Sequence, residues 1–200
     1  LPTVNGEQVF AVDLDGDQND EVVTLLEGTL AWGERRASIE GAIVASDTAT
    51  SSVTNGEALY IATGRSRTYP KALPQVHRVD ANGHQAIYSP ESPHHRISDL
   101  QANTSGVYIT VMGPNKVAQG GPLVDGIFTP ETRSLMGLKQ TRVNDDRTII
   151  GRLYGDEPRS DGELVIVDKG GATTQLPSKR GVRTLVAHDV DLDGHTDLLV

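Results

Sequence analysis

The chain has 200 residues, 36% apolar and 22% charged, which suits one large folded domain or two small ones. A formal net charge of -9 argues against nucleic acid or an anionic membrane surface as partner, since both need a basic footprint. The absence of cysteine excludes disulfides, zinc-thiolate sites and cysteine nucleophiles, and leaves the redox compartment open.

With two Phe and one Trp, the core must rely on Val, Ile, Leu, Ala and Tyr, which is β-sheet vocabulary. No apolar run approaches the length of a membrane span, and no stretch reads as a signal peptide. The start at Leu1 rather than Met suggests a processed or excised piece.

Helix signals are scarce, because Gly and Pro punctuate the chain and no window keeps an apolar 3.6 period for three turns. Short strands are predicted at 8–12, 21–26, 29–32, 42–45, 58–63, 76–80 and 85–88. More follow at 96–99, 106–112, 123–128, 148–154, 163–168, 172–176 and 182–187. Val76 to Gly83 and Val165 to Gly171 read as hairpins with Gly where the reversal needs positive φ, and Gln119-Gly120-Gly121-Pro122 reads as another turn.

Two acid-dense stretches stand out: Asp13-Leu14-Asp15-Gly16-Asp17-Gln18-Asn19-Asp20-Glu21 and Asp189-Val190-Asp191-Leu192-Asp193-Gly194-His195-Thr196-Asp197. Each is entered from one apolar run and left into another. Carboxylates at alternate positions converge when the backbone curls around a cation, and Gly194 permits the sharp turn. The terminal loop has side-chain oxygens at Asp189, Asp191, Asp193 and Asp197, with a carbonyl at His195. The first loop keeps Asp13, Asp15 and Asp17, has Asn19 for the carbonyl, and closes with Glu21 or Asp20. Gln18 stands where Gly is expected, so weaker binding is predicted there. An EF-hand is rejected, because position 12 holds Thr24 or Val200 instead of Glu and the flanks are strand-like.

The first residues of these loops are 176 apart. Asp-bearing passages recur between them at Asp47, Asp99 and Asp145, giving gaps of 34, 52, 46 and 44 residues. That spacing suits a four-stranded propeller blade of roughly 40 to 50 residues. The middle passages lack the acid pattern and are expected to close by side-chain hydrogen bonds.

The D-x-D-x-D-G-x-x-D pattern between strands resembles the FG-GAP and VCBS repeats of calcium-binding β-propellers, the class of integrin α-subunit heads and certain lectins. The resemblance implies that the loop joins a blade's first two strands, that Ca²⁺ binds at both loops in a structural role, and that glycans or proteins are partners. The expected architecture is all-β, a single propeller domain over 1–200 with repeats starting near 8, 42, 96, 141 and 183. That makes about four blades and part of a fifth, a segment of a larger propeller, of seven blades for instance, with further blades or flanking domains as neighbours. Weak calcium loops fill outside the cell, so a secreted or cell-surface binding module is expected, with no membrane insertion.

The rival is a secreted propeller enzyme, a polysaccharide lyase or hydrolase drawing on Tyr88, His94, His95 and Arg96. A spacer within a large surface protein is a third reading. No Gly-x-Ser-x-Gly elbow is present, and no order of Ser, His and Asp singles out a triad. Arg65 to Tyr69 and Arg152 to Arg159 have the composition of contact loops but also of ordinary surface loops, the reading favoured here, and Trp32 is expected to pack between blades rather than to serve as a sugar platform.

Overall fold

The computed structural model describes residues 8–26, 28–50, 54, 56–92, 94–103, 106–131, 135, 136, 138–143, 149–153, 163–167, 172–176, 186–188, 190 and 197–199. Among these the protein is all-β. Consecutive strands pair as antiparallel meanders, as expected of a chain whose apolar runs are short and bounded by turn residues.

The first meander is β1 (Gln8–Val12), β2 (Glu21–Leu26), β3 (Thr29–Trp32) and β4 (Arg35–Ser38), and the second is β5 (Ala42–Thr50), β6 (Glu57–Gly64), β7 (Gln75–Asp80) and β8 (Gly83–Tyr88). A third sheet contains β9 (Arg96–Asn103), β10 (Gly106–Met112), β11 (Val117–Val124) and β12 (Ile127–Phe128), with β13 (Leu135–Met136) also paired to β11. The fourth comprises β14 (Leu138–Val143), β15 (Ile149–Leu153), β16 (Glu163–Val167) and β17 (Thr173–Leu176). A final hairpin joins β18 (Val186–His188) to β19 (Asp197–Leu199). The chain divides into two compact units, one of residues 1–93 with 102–104, the other of 94–101 with 105–200.

In the first unit, register decides which side chains form the core. Val23 pairs with Trp32 and Leu25 with Leu30, so all four share one face of the sheet. They are buried with Val12 and Leu14 against Ile39, Leu59, Ile61 and Val79, the last three contributed by β6 and β7. Full burial of each such side chain is worth about 1.5–3 kcal/mol, and the cluster draws on both of the first two sheets. Trp32 is a core member, as its sequence setting predicts.

Several local expectations are corrected. Asp47 and Asp99 lie inside β5 and β9, not in turns. The predicted strand 123–128 is broken by a two-residue turn at Asp125 (φ 50°) and Gly126 (φ 79°), which pairs Val124 with Ile127. Gln119 to Pro122 runs within β11. Its glycines serve a close backbone approach instead of a reversal: a Cβ on Gly121 would overlap the Thr129 carbonyl, and Glu131 N donates to Gly120 O at 3.0 Å. The strand β4, Arg-Arg-Ala-Ser at a sheet edge, has no apolar alternation to announce it.

The 76–83 hairpin forms as read, with Asp80 paired to Gly83 (φ 137°) and the Asp80 carboxylate accepting from Asn82 N at 2.9 Å. Lys169 to Gly171 and Arg152 to Arg159 fall wholly or mostly outside the described residues.

Candidate functional site

The first acidic loop spans residues 13–20, between Val12 and Glu21, the last pair of the β1–β2 ladder. Asp13 organises it. Its Oδ1 accepts from Gly16 N (2.8 Å) and Asp17 N (3.1 Å), and its Oδ2 accepts from Gln18 N (3.0 Å). Asp15 Oδ1 accepts from Asp17 N at 3.2 Å, and Asp17 Oδ1 from Asn19 N at 2.8 Å. These bonds curl the backbone because a short carboxylate reaches amides two to five residues ahead. Gly16 (φ 81°) and Gln18 (φ 70°) occupy the left-handed region that such a curl needs.

The loop is tied down at two points. Leu14, 2% exposed, belongs to the core, and its N–H donates to Glu21 Oε2 at 2.7 Å. The second tie comes from the next sheet, where Glu57 N donates to Asp13 O at 2.6 Å. Gly56 makes that approach possible, since a Cβ there would stand 2.5 Å from Asp13 O and 2.6 Å from Leu14 O. Sequence reasoning missed Gly56, which looks like an ordinary turn glycine until β6 is laid beside the loop.

The result is a convergence of Asp13, Asp15 and Glu21, each offering a carboxylate oxygen within 4.8 Å of the others. Asp17 and Asn19 lie in the same loop outside that trio. The trio is all hard oxygen, the chemistry that suits calcium or magnesium over a transition metal. Each carboxylate has about four lone-pair sites, so the amide bonds leave capacity for a cation.

In the terminal loop Asp189, Asp191, Asp193 and His195 lie outside the described residues, and of Asp197 only the backbone is described. Its frame is described: His188 pairs with Asp197, as Val12 pairs with Glu21. Both hairpins thus enclose eight residues, and the ninth position of each acidic pattern is the first paired residue of the returning strand.

Elsewhere, Tyr88 is half-buried, and burial followed by the nearby Glu91 charge raises its hydroxyl above the ordinary range. His94 and Arg96 are exposed and His95 half-buried. A cleft of about 320 Å³ forms instead among Trp32, Arg35, Arg36, Asn82 and His84. His84, which lines it, pairs with the buried His77. His77 Nδ1 is 3.1 Å from His84 Nε2, His77 Nε2 is 3.3 Å from the Thr63 hydroxyl, and the rings stack at 5.2 Å. Burial, and secondarily His84, lowers the His77 pKa to about 4, and burial also lowers that of His84. Nothing in the spacing of His77 and His84 distinguishes them in the sequence. They meet because Asp80 to Gly83 is a tight turn.

Compared with known proteins, the chain matches no family model and no curated protein sequence.

Proposed function

We propose that this chain is a calcium-stabilised β-propeller segment of the FG-GAP/VCBS type, acting outside the cell as a binding module for a glycan or protein. The observation that carries the reading is the convergence of Asp13, Asp15 and Glu21 in a hairpin loop that opens a four-stranded meander. The identical ladder frame around the 189–196 loop supports a second site, with Asp189, Asp191, Asp193, Asp197 and the His195 carbonyl as ligands. Calcium's role is structural: it neutralises carboxylates that hold the β1–β2 turn against the second sheet.

The outer face of the first sheet adds support for the propeller. Register places Val9, Val22 and Leu26 together there, and they are 54%, 58% and 48% exposed. A propeller blade has both faces covered by neighbouring sheets, so an apolar outer face suits a further blade.

The test is thermal unfolding after chelation. At calcium about 100 times the Kd, each intact site adds about 2.7 kcal/mol. At 2–4 °C per kcal/mol, that raises the melting temperature by roughly 5–10 °C. Glu21→Gln lowers the response and Asp193→Asn lowers it further. If neither melting nor calorimetry responds to millimolar calcium, the reading fails. A glycan array then identifies the ligand class, and turnover of a polysaccharide would favour the enzyme reading instead.

A further inference from the structure

The cleft in the first unit reverses the sign of the chain. In a protein of net charge -9 it is lined by two arginines and by no acidic residue. Arg35 pairs with Trp32 and Ala37 with Leu30 across β3 and β4, while Asn82 and Gly83 come from the β7–β8 turn.

Both guanidinium groups are held in place by carbonyls. Arg35 Nη1 donates to Ala81 O at 2.5 Å, and Arg36 Nη1 donates to Arg35 O at 2.7 Å and Gly33 O at 3.2 Å. Among the described residues, the ion pair is Arg78 with Asp80, and neither Arg35 nor Arg36 has a carboxylate partner. A guanidinium has five donors in a planar fork, so each arginine keeps donors free while its orientation is already fixed. Such preorganisation reduces the ordering cost of binding an anion.

Two further groups line the cleft. Trp32 is 7% exposed, and its indole N–H is buried with no hydrogen-bond partner. An unmet buried donor costs about 1–3 kcal/mol. His84 uses Nε2 toward His77, and its Nδ1 has no partner among the described residues. With Thr63 directed to Gln75 O, the bonds run His84 Nε2–H to His77 Nδ1 and His77 Nε2–H to Thr63 Oγ1. That order leaves His84 Nδ1 as an acceptor.

We propose that this cleft binds the carboxylate of an acidic sugar residue, with Arg35, which shares the Trp32 face of the sheet, as the carboxylate fork, Arg36 as a second positive charge at the strand edge, and Asn82 beside the ring. The volume lies at the small end of ligand cavities, room for one ring of a glycan whose remainder extends into solvent. A planar carboxylate matches the guanidinium fork in two parallel hydrogen bonds. The proposal rests on the binding-module reading and selects the acidic branch of its glycan class.

Trp32 is the sole Trp and lines the cleft, so its indole resonance and its fluorescence give one signal from beside it. The experiment titrates the calcium-loaded protein with methyl glucuronide and with methyl glucoside, which differ by carboxylate against hydroxymethyl. Acetate, inorganic phosphate and a Glu-containing tripeptide are run alongside. The glucuronide is expected to shift the indole signal and to bind at least tenfold more tightly than the glucoside or acetate. Arg35→Gln with Arg36→Gln removes that preference, and Arg35→Lys with Arg36→Lys restores part of it.

Equal responses to glucuronide and glucoside, or an unchanged preference in the double Gln variant, overturn the proposal. So does tighter binding of phosphate or of the peptide than of the glucuronide. A calcium-dependent melting shift measured on the same samples separates the two readings, because it persists when only the cleft assignment is wrong.

Discussion

The first two sheets of the molecule are built alike and closed differently. In the first, Val12 and Glu21 end the ladder and eight residues between them are folded by carboxylate-to-amide bonds. In the second, Thr50 pairs with Glu57 across six residues that include no acid. The central strands differ in parallel: β2 alternates between buried and exposed positions, whereas β6 is buried from Ala58 through Gly64. The β1–β2 loop takes its shape from charge, and it leans on the second sheet through Gly56 and Glu57.

The largest way to break this arrangement is at Gly56. In Gly56→Val, backbone atoms of Asp13 and Leu14 must shift by tenths of an ångström or more, because nothing flexible stands in the way. Overpacking of this kind costs typically 1–3 kcal/mol and occasionally more. About 3 kcal/mol is expected in urea unfolding, together with a weaker calcium response. If the variant unfolds like the parent, the two sheets do not support each other at the loop.

The second sheet has its own point of failure, and pH reaches it. His77 is 2% exposed, with a pKa lowered to about 4 from the ordinary 6.5. Between these values the unfolded chain binds a proton that the folded chain refuses, so stability falls as pH drops from 6.5 toward 4 and levels off below. The displacement amounts to on the order of 3 kcal/mol. Urea midpoints across that range measure it, and His77→Gln should flatten the slope. A midpoint independent of pH between 6.5 and 4 would sink the assignment.

Much of this was legible beforehand, and the reason is physical. The sequence fixes β1, β2, β3 and β10 at their observed bounds because apolar residues there either alternate or run unbroken between turn residues. Spacing pointed to Asp13, Asp15 and Asp17 with Asn19, and to Glu21 or Asp20 as the closing acid; of these the local backbone curl brings Asp13, Asp15 and Glu21 together and leaves Asp17 and Asn19 outside the trio. What lay hidden depends on neighbours distant in sequence. Gly56 matters through a contact with Asp13, and the arginine cleft exists because an inconspicuous edge strand, β4, meets the β7–β8 turn. Asp125-Gly126 is different: a strong hairpin dipeptide was present and was outweighed by the apolar residues on either side.

Intermediate in size is the effect of the loop's closing carboxylate. Glu21 accepts from Leu14 N and joins the acidic trio, so Glu21→Gln keeps the shape but removes a charge. Without calcium the variant should equal or exceed the parent in stability, because it relieves repulsion among three carboxylates. With calcium it should fall behind by about 1–2 kcal/mol, as a charge-assisted ligand is lost. A variant that trails equally in both conditions would show that Glu21 acts through Leu14 alone.

The smallest effect sharpens the comparison most, because it asks how far the first loop has departed from an ideal turn. Gln18 holds φ at 70°, a conformation that costs an ordinary L-residue roughly 1–2 kcal/mol and glycine almost nothing. Its side chain is exposed, so replacement removes no core contact. Against the relief stands the greater freedom of glycine in the unfolded chain, worth about 0.4–1 kcal/mol in the opposite sense. Gln18→Gly is therefore expected to stabilise the protein by about 0.5–1 kcal/mol. The gain should be larger in calcium than after chelation, since a relaxed turn holds Asp13 and Asp15 in place at no conformational cost. Differential scanning calorimetry with and without calcium reads both terms. A loss of stability in both conditions would mean that Gln18 is held by its surroundings and that the β1–β2 loop draws order from more than its carboxylates.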